Sequence, residues 1–264
     1  MRYLLVNPGV LEEAYLPRLL PYREEQHKYM AECIKPLTKG KTGRNLLITG
    51  PSGIGKTACV RFILRKLLEE TDILPLYVNC WKRDTTPKIV HDIAGQLNIR
   101  AGSRSTDEIF DIIISRLSRG PLVLAFDEID RATDHGFLYR VLEDLPFKTI
   151  FLVTNVSDFG RIDSRLLSRL ALERLIFRPY NYQETKGILH ERQKYAFVPG
   201  AFVYEAFEAI VRRTAAARDI RAGLALLRLA AELAESRSAE KIELKDVCAA
   251  AKKLEGTSIT TFVR

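Results

Sequence analysis

Histidine and cysteine are both scarce in this chain, four of each among 264 residues, and Cys33, Cys59, Cys80 and Cys248 show neither CxxC spacing nor a neighbouring histidine pair. This argues against the common zinc frameworks and a small disulfide-stapled domain. The expectation is four reduced thiols, mostly in the core of a cytoplasmic protein. Long apolar runs are absent too: no stretch approaches the ~18 residues of a membrane-crossing helix, and residues Met1 to Pro8 lack the basic-then-apolar pattern of a secretory leader. A cytoplasmic location with no membrane partner is the expectation. There is no internal repeat and no low-complexity segment. Acidic residues are outnumbered, 33 against 41 lysines and arginines, for a net charge of +8. That excess suits a polyanionic partner, nucleic acid or an acidic membrane, and equally suits a solubilising surface.

What is present begins with an ordinary globular balance, 47% apolar and 28% charged, enough for one large or two modest domains. Within it, Gly50, Pro51, Ser52, Gly53, Ile54, Gly55, Lys56 and Thr57 form the string GPSGIGKT, continued by Ala58. The string lies between an apolar run, Leu46-Leu47-Ile48, and a segment of helical period, the context a phosphate-binding loop requires. Gly50, Gly53 and Gly55 let the backbone curl so that successive N–H groups point at phosphate oxygens, and the following helix adds its positive end. Lys56 can then reach the β- and γ-phosphates, and the Thr57 hydroxyl can ligate Mg2+. A bound nucleoside triphosphate is expected, and the loop alone leaves its use open.

After the loop, Val60, Ile63, Leu64, Leu67 and Leu68 recur at i, i+3, i+4, i+7 and i+8 and predict a helix with one apolar face. Pro75 leads into a short strand, Leu76-Tyr77-Val78, and then a helix with Ile89, Val90, Ile93, Ala94 and Leu97 on one side. Ser105 with Glu108 three residues on is a capping-box signature for a helix bearing Ile109, Ile112, Ile113 and Leu117. Leu122 to Phe126 and Ile150 to Val153 read as strands apolar on both faces, separated by a helix with Phe137, Leu138, Val141, Leu142 and Leu145. Such strands alternating with helices indicate an α/β fold with a parallel sheet covered on both sides. Around Ile176 to Pro179 the pattern changes, and after Asn181 it is wholly helical, with four helices expected at 181–195, 200–213, 219–236 and 244–254. The expected domains are a base including the N-terminal segment (1–178), a helical domain (179–255) and a loose tail (256–264).

The strand Leu122 to Phe126 ends in Asp127-Glu128, an acidic pair about 70 residues beyond the loop. Asp127 suits a Mg2+ site, and Glu128 suits a general base for the attacking water. Asn155 closes the next strand, where an amide can orient that water or touch the γ-phosphate, although asparagine commonly ends strands. Arg221 lies in an otherwise apolar, alanine-rich helix. From there it can close over the γ-phosphate, and a solvated face shared with Arg228 explains it equally. Arg161, Arg165, Arg169, Arg174 and Arg178 crowd one segment. Either an arginine entering a neighbouring subunit's nucleotide site or a basic stripe on nucleic acid accounts for them.

On these residues the chain resembles an AAA+ ATPase of the archaeal and eukaryotic replication-initiator branch, the origin-recognition and cell-division-control-six type. Beyond the loop the likeness rests on the strings LPYREEQ from Leu20, YVNC from Tyr77, DEID from Asp127, FRPY from Phe177, AFVPG from Ala196 and LLRLAAE from Leu226, in the family's order over roughly residues 10 to 254. The resemblance implies an AAA+ base with a five-stranded parallel sheet, an all-helical lid, ATP or ADP with Mg2+ bound between them, and slow hydrolysis used as a conformational switch. It makes Asn155 the sensor-one residue and Arg221 the sensor-two arginine. Arg169 becomes the arginine acting in trans, with Arg165 as second choice. It puts Pro21, Tyr22 and Arg23 near the adenine, with Tyr180 by the same pocket. It also implies a duplex-contacting helix within roughly residues 81 to 100, where Lys82, Arg83 and Lys88 would meet phosphates. The implied partners are double-stranded origin DNA, other initiator subunits and the replicative helicase.

Two departures stand out. The glycine usual before Asp219 is here Arg218, and the family normally continues into a winged-helix domain whereas this chain stops at Arg264, so weakened DNA affinity is expected. The competing reading is a regulatory AAA+ ATPase that binds a protein partner in place of origin DNA.

Overall fold

The computed structural model describes residues 3–155 and 162–256. It divides into two compact units, one of Arg23–Pro51 and Lys56–Phe177, the other of Met1–Tyr22, Ser52–Gly55 and Arg178–Arg264.

The first unit is an α/β layer structure. Its strands β1 (Leu46–Thr49), β2 (Leu74–Asn79), β3 (Leu122–Asp127), β4 (Lys148–Val153) and β5 (Glu173–Ile176) lie in the order β2-β3-β4-β1-β5. All four pairings are parallel. The central strands β1, β3 and β4 are buried at every residue, their apolar runs and the polar residues at their ends alike, while the edge strands β2 and β5 alternate. Periodicity alone revealed four of the five. The last, Glu173-Arg174-Leu175-Ile176, needs no burial on both faces, because it pairs only with β1 at the sheet's edge.

Around the sheet run α1 (Glu24–Ile34), α2 (Lys56–Glu70), α3 (Thr86–Gln96), α4 (Thr106–Leu117), α5 (Gly136–Asp144) and α6 (Ser164–Leu170). The capping box of α4 forms: the Ser105 hydroxyl accepts the Glu108 N–H at 3.3 Å, and the Glu108 carboxylate accepts the Ser105 N–H at 2.7 Å. The apolar face of α2 is narrower than expected. Cys59, Val60, Ile63, Leu64 and Leu67 are buried but Leu68 is 69% exposed, because eight residues past Val60 the helix has turned ~80° off the stripe. Ile112 of α4 also faces solvent. Lys148, buried at the start of β4, donates to the Leu142 carbonyl at 2.8 Å and to that of Leu145, so its ammonium caps the carboxyl end of α5. Burial pushes the Lys148 pKa below its ordinary value. Burial also raises the thiols of Cys33, to about 11, and of Cys59 and Cys80, to about 12. These three therefore stay protonated, and Cys248 is exposed.

The second unit is helical: α7 (Tyr182–Ala196), α8 (Tyr204–Ala217), α9 (Ile220–Ser236) and α10 (Leu244–Gly256). The second of these begins four residues later than expected, because the chain stays extended as far as Val203, whose N–H donates to the Ile242 carbonyl at 3.0 Å. Asn181 and Glu184 form a capping box for α7, and Arg178 adds a two-pronged pair to Glu184. Alanines 230, 231 and 234 of α9 and 250 and 251 of α10 are all buried, and their small side chains permit close helix approach. The sequence boundary at residue 178 assigned the N-terminal segment to the base, whereas the structure groups it with these helices. Leu4 and Leu5 donate their N–H groups to Glu235, the N–H groups of Val6 and Asn7 share the Ala196 carbonyl, and Leu4, Val10 and Leu11 enter the helical core. No described helix is long and apolar enough to cross a membrane.

Candidate nucleotide-binding site

In a parallel sheet every strand delivers its carboxyl end to the same edge, and the order β3-β4-β1 makes the ends at Asp127, Asn155 and Gly50 neighbours. The first two residues of α2 reach all three ends. The Lys56 ammonium, 6% exposed, donates to the Gly50 carbonyl at 2.7 Å, the Pro51 carbonyl at 2.6 Å and Asn155 Oδ1 at 2.8 Å. Those three acceptors are neutral. Thr57 Oγ1 donates to Asp127 Oδ2 at 2.7 Å, and Asp127 is 1% exposed. One turn of α2 thus presents an ammonium to one strand end and a hydroxyl to another, with its own N-terminus beside both.

Glu128 follows in the left-handed region, at φ 52°, and its N–H donates to Asp127 Oδ1 at 3.0 Å. For a non-glycine residue this is a strained conformation of the kind found at working sites. It separates the two carboxylates, leaving Asp127 buried and Glu128 partly accessible. Asp130 accepts from Thr154 Oγ1 at 2.8 Å, tying the segment after β3 to the residue before Asn155.

The loop tip, Ser52–Gly55, groups with the helical unit. Arg218 closes α8 in the left-handed region (φ 55°), the position where glycine would be unstrained, and Asp219 caps α9 by accepting the Arg221 N–H at 2.8 Å. Asp219 also holds the Arg221 guanidinium at 2.8 Å, and that guanidinium donates to Ser52 Oγ at 2.8 Å. The Ile220 N–H donates to the Gly53 carbonyl at 3.1 Å. A Cβ on Gly53 (φ 70°) would stand 1.9 Å from Asp219 Oδ1, and one on Gly55 (φ 87°) 2.8 Å from the Tyr180 hydroxyl, so neither position admits a side chain. Arginine in place of glycine before Asp219 therefore leaves Arg221 beside the loop.

The remaining expected residues fall into separate groups. Tyr22 packs its hydroxyl against Gly187 in the helical unit, while Arg23, buried in the α/β unit, lies over the Phe177 ring at 5.1 Å. Arg169 pairs with Glu143, and the Arg165 N–H donates to Asp163. Arg161 lies outside the described residues. Lys82, Arg83 and Lys88 are exposed at the start of the segment that carries α3, with Arg83 paired to Asp92 and Lys88 to Asp84.

The donor set suits a nucleoside triphosphate with a divalent cation: an ammonium, a helix N-terminus and an adjoining hydroxyl–carboxylate pair. Comparison with known proteins supplies the family. An ORC1-type DNA replication protein of Archaeoglobus fulgidus is 31% identical, over 98% of this chain and 68% of its own length. The chain belongs to the ORC1-type DNA replication protein family. One from Aeropyrum pernix is 32% identical over 97% of this chain and 70% of its own. Residues 38–156 match the model for an AAA domain, and residues 186–252 that for a Cdc6 AAA+ ATPase-type lid domain. Among solved structures, the Aeropyrum pernix ORC1 protein in complex with DNA superposes with a TM-score of 0.85 at 31% identity, covering 96% of this chain and 70% of that one. Cdc6p from Pyrobaculum aerophilum, at 19% identity, shares the fold with a TM-score of 0.83 over 95% of this chain and 72% of its own. This ORC1-type chain is accordingly a replication-initiator AAA+ ATPase, with the five-stranded parallel base and helical lid that the family resemblance implied.

Three contacts, one in the α/β unit and two in the helical unit, carry no sequence signal of their own. Tyr77 hydrogen-bonds Asp127, Asp219 holds Arg221, and Ser52 receives Arg221. Each joins residues at least two elements apart or depends on a cap geometry, so spacing along the chain does not expose it.

Proposed function

We propose that this ORC1-type chain is a cytoplasmic initiator that binds ATP or ADP with Mg2+ and uses slow hydrolysis as a switch on double-stranded origin DNA. The reading rests on one observation above all: Lys56 with Asn155, and Thr57 with Asp127, are hydrogen-bonded pairs at adjacent strand ends. In it, residues Gly50 to Ala58 cradle the phosphates and Lys56 meets the β- and γ-oxygens. Thr57 and Asp127 hold the cation, which when bound neutralises developing phosphate charge. Glu128 accepts a proton from the attacking water, Asn155 orients that water, and Arg221 reads the γ-phosphate. Tyr22, Arg23 and Tyr180 lie towards the base. Arg169, or failing it Arg165, serves a neighbouring initiator subunit in trans once released from its own carboxylate. The replicative helicase is the further partner.

DNA contact through Lys82, Arg83 and Lys88 is supported by their exposure, by the net charge of +8 and by the DNA complex of the Aeropyrum pernix protein. A duplex titration in ATP and in ADP, at several salt concentrations, tests it. Lys82→Glu with Arg83→Glu should weaken binding and lower the salt slope by about 0.9 for each phosphate no longer neutralised. Nucleotide-insensitive, mutation-insensitive binding would instead favour an ATPase that acts on a protein partner.

A further inference from the structure

Asp127 is held by more than its cation-side neighbour. Its Oδ2 accepts two hydroxyls, Thr57 Oγ1 and Tyr77 OH, each at 2.7 Å, and its Oδ1 accepts the Glu128 N–H at 3.0 Å. The backbone carbonyl of Asp127 also accepts the Cys80 N–H at 2.8 Å. With Asp127 1% exposed, water has little access to replace a missing donor. Tyr77 is in turn fixed from several sides. The Gln96 side chain takes both its N–H (3.3 Å) and its carbonyl (2.8 Å), and is itself anchored to Asp92 at 2.8 Å. The Arg61 guanidinium lies over the Tyr77 ring at 5.7 Å.

We propose that Tyr77 is a positioning residue for the cation-binding carboxylate: its hydroxyl sets the rotation of the Asp127 carboxylate so that an oxygen faces the cation shared with Thr57. This rests on the assignment of Thr57 and Asp127 to that cation. Groups one hydrogen bond behind a metal ligand fix its orientation, and their removal typically weakens the metal about 10- to 100-fold. Tyr77 has the attributes of such a group: a rigid ring, a single rotatable donor, and a backbone clamped by Gln96 on the open side of β2.

The test is Tyr77→Phe, which keeps the ring and removes the hydroxyl. Binding of a fluorescent ATP analogue is measured in EDTA and then across a Mg2+ titration, repeated with Mn2+, beside Asp127→Asn and Thr57→Ala. The expected result is unchanged affinity in EDTA with the Mg2+ midpoint raised about tenfold, as for the two ligand variants. If Asp127→Asn and Thr57→Ala leave the midpoint where it was, the cation assignment fails and the inference with it. If they move it and Tyr77→Phe does not, the assignment stands and Tyr77 has no part in it. Equal weakening in EDTA and in Mg2+ would make Tyr77 a packing residue and overturn the proposal.

Discussion

The α/β unit and the helical unit hold their candidate nucleotide residues by different means. In the first, Lys56 and Thr57 on α2 pair with Asn155 and Asp127 at two strand ends, at 2.7 to 2.8 Å, with Lys56 and Asp127 almost fully buried. In the second, Ser52, Asp219 and Arg221 form one local knot, with the Arg221 side chain 32% exposed. A buried network penalises removal of any member by the desolvation of the partner left behind, about 1–3 kcal/mol for each group. The Arg221 guanidinium is the more accessible cation, but its partner Asp219 is only 8% exposed, so removing Arg221 would leave a buried carboxylate short of a donor. The two sets differ in accessibility, with Lys56 6% exposed and the Arg221 side chain 32% exposed.

Four measurements test that contrast. The largest effect belongs to the α/β unit: Glu128→Gln should lower hydrolysis by about 10^2- to 10^4-fold while ATP still binds, and an unchanged single-turnover rate would remove Glu128 as the base. Arg221→Ala should cost roughly 10- to 100-fold in turnover, the value of one hydrogen bond between charged groups, with ADP affinity little altered. Equal weakening of ADP and ATP would mean that Arg221 does not read the γ-phosphate.

Smaller again is a pH effect confined to the α/β unit. Burial lowers His27 and His135 below the ordinary 6.5, so the unfolded chain takes up protons that the fold resists. Their contribution to stability is whole above pH 6.5 and declines as pH falls through the lowered folded values. Amide protection of the sheet, compared with that of α9, should drop between pH 7.5 and 5.5. His27→Phe, which keeps the stacking on Phe62, should lessen the drop. The smallest effect is in the helical unit: Arg218→Gly relieves a left-handed residue but loosens the unfolded chain, for a net gain of about 0.5 kcal/mol in urea unfolding.

Local features were legible in the sequence and tertiary ones were not. GPSGIGKT, the DEID string and the Ser105–Glu108 cap are each set by neighbours in the chain, and the doubly buried strands announce themselves by composition. The family resemblance implied five parallel strands but not the order that makes Asp127 and Asn155 neighbours, since nothing in either strand names its partner. β5 escaped periodicity because an edge strand carries charge on one side. The N-terminal segment has too little periodic pattern to show that Glu235 and Ala196 receive its N–H groups. Tyr77 looked like one more strand aromatic, and its hydroxyl acquired meaning only when β2 was seen beside β3.

The clamp of Gln96 on Tyr77 has a second consequence. β2 has a neighbour on one side only, and on its open side the outward-pointing residues are Pro75, Tyr77 and Asn79. Pro75 has no N–H to offer, Gln96 occupies both backbone groups of Tyr77, and the Lys82 and Arg83 N–H groups occupy the Asn79 carbonyl. A strand from another molecule arriving at this edge would find no N–H at Pro75, and both Tyr77 groups and the Asn79 carbonyl already engaged. The same Gln96 side chain that clamps Tyr77 therefore takes two pairing groups away from the open edge of the sheet, the kind of cover that disfavours edge-to-edge pairing.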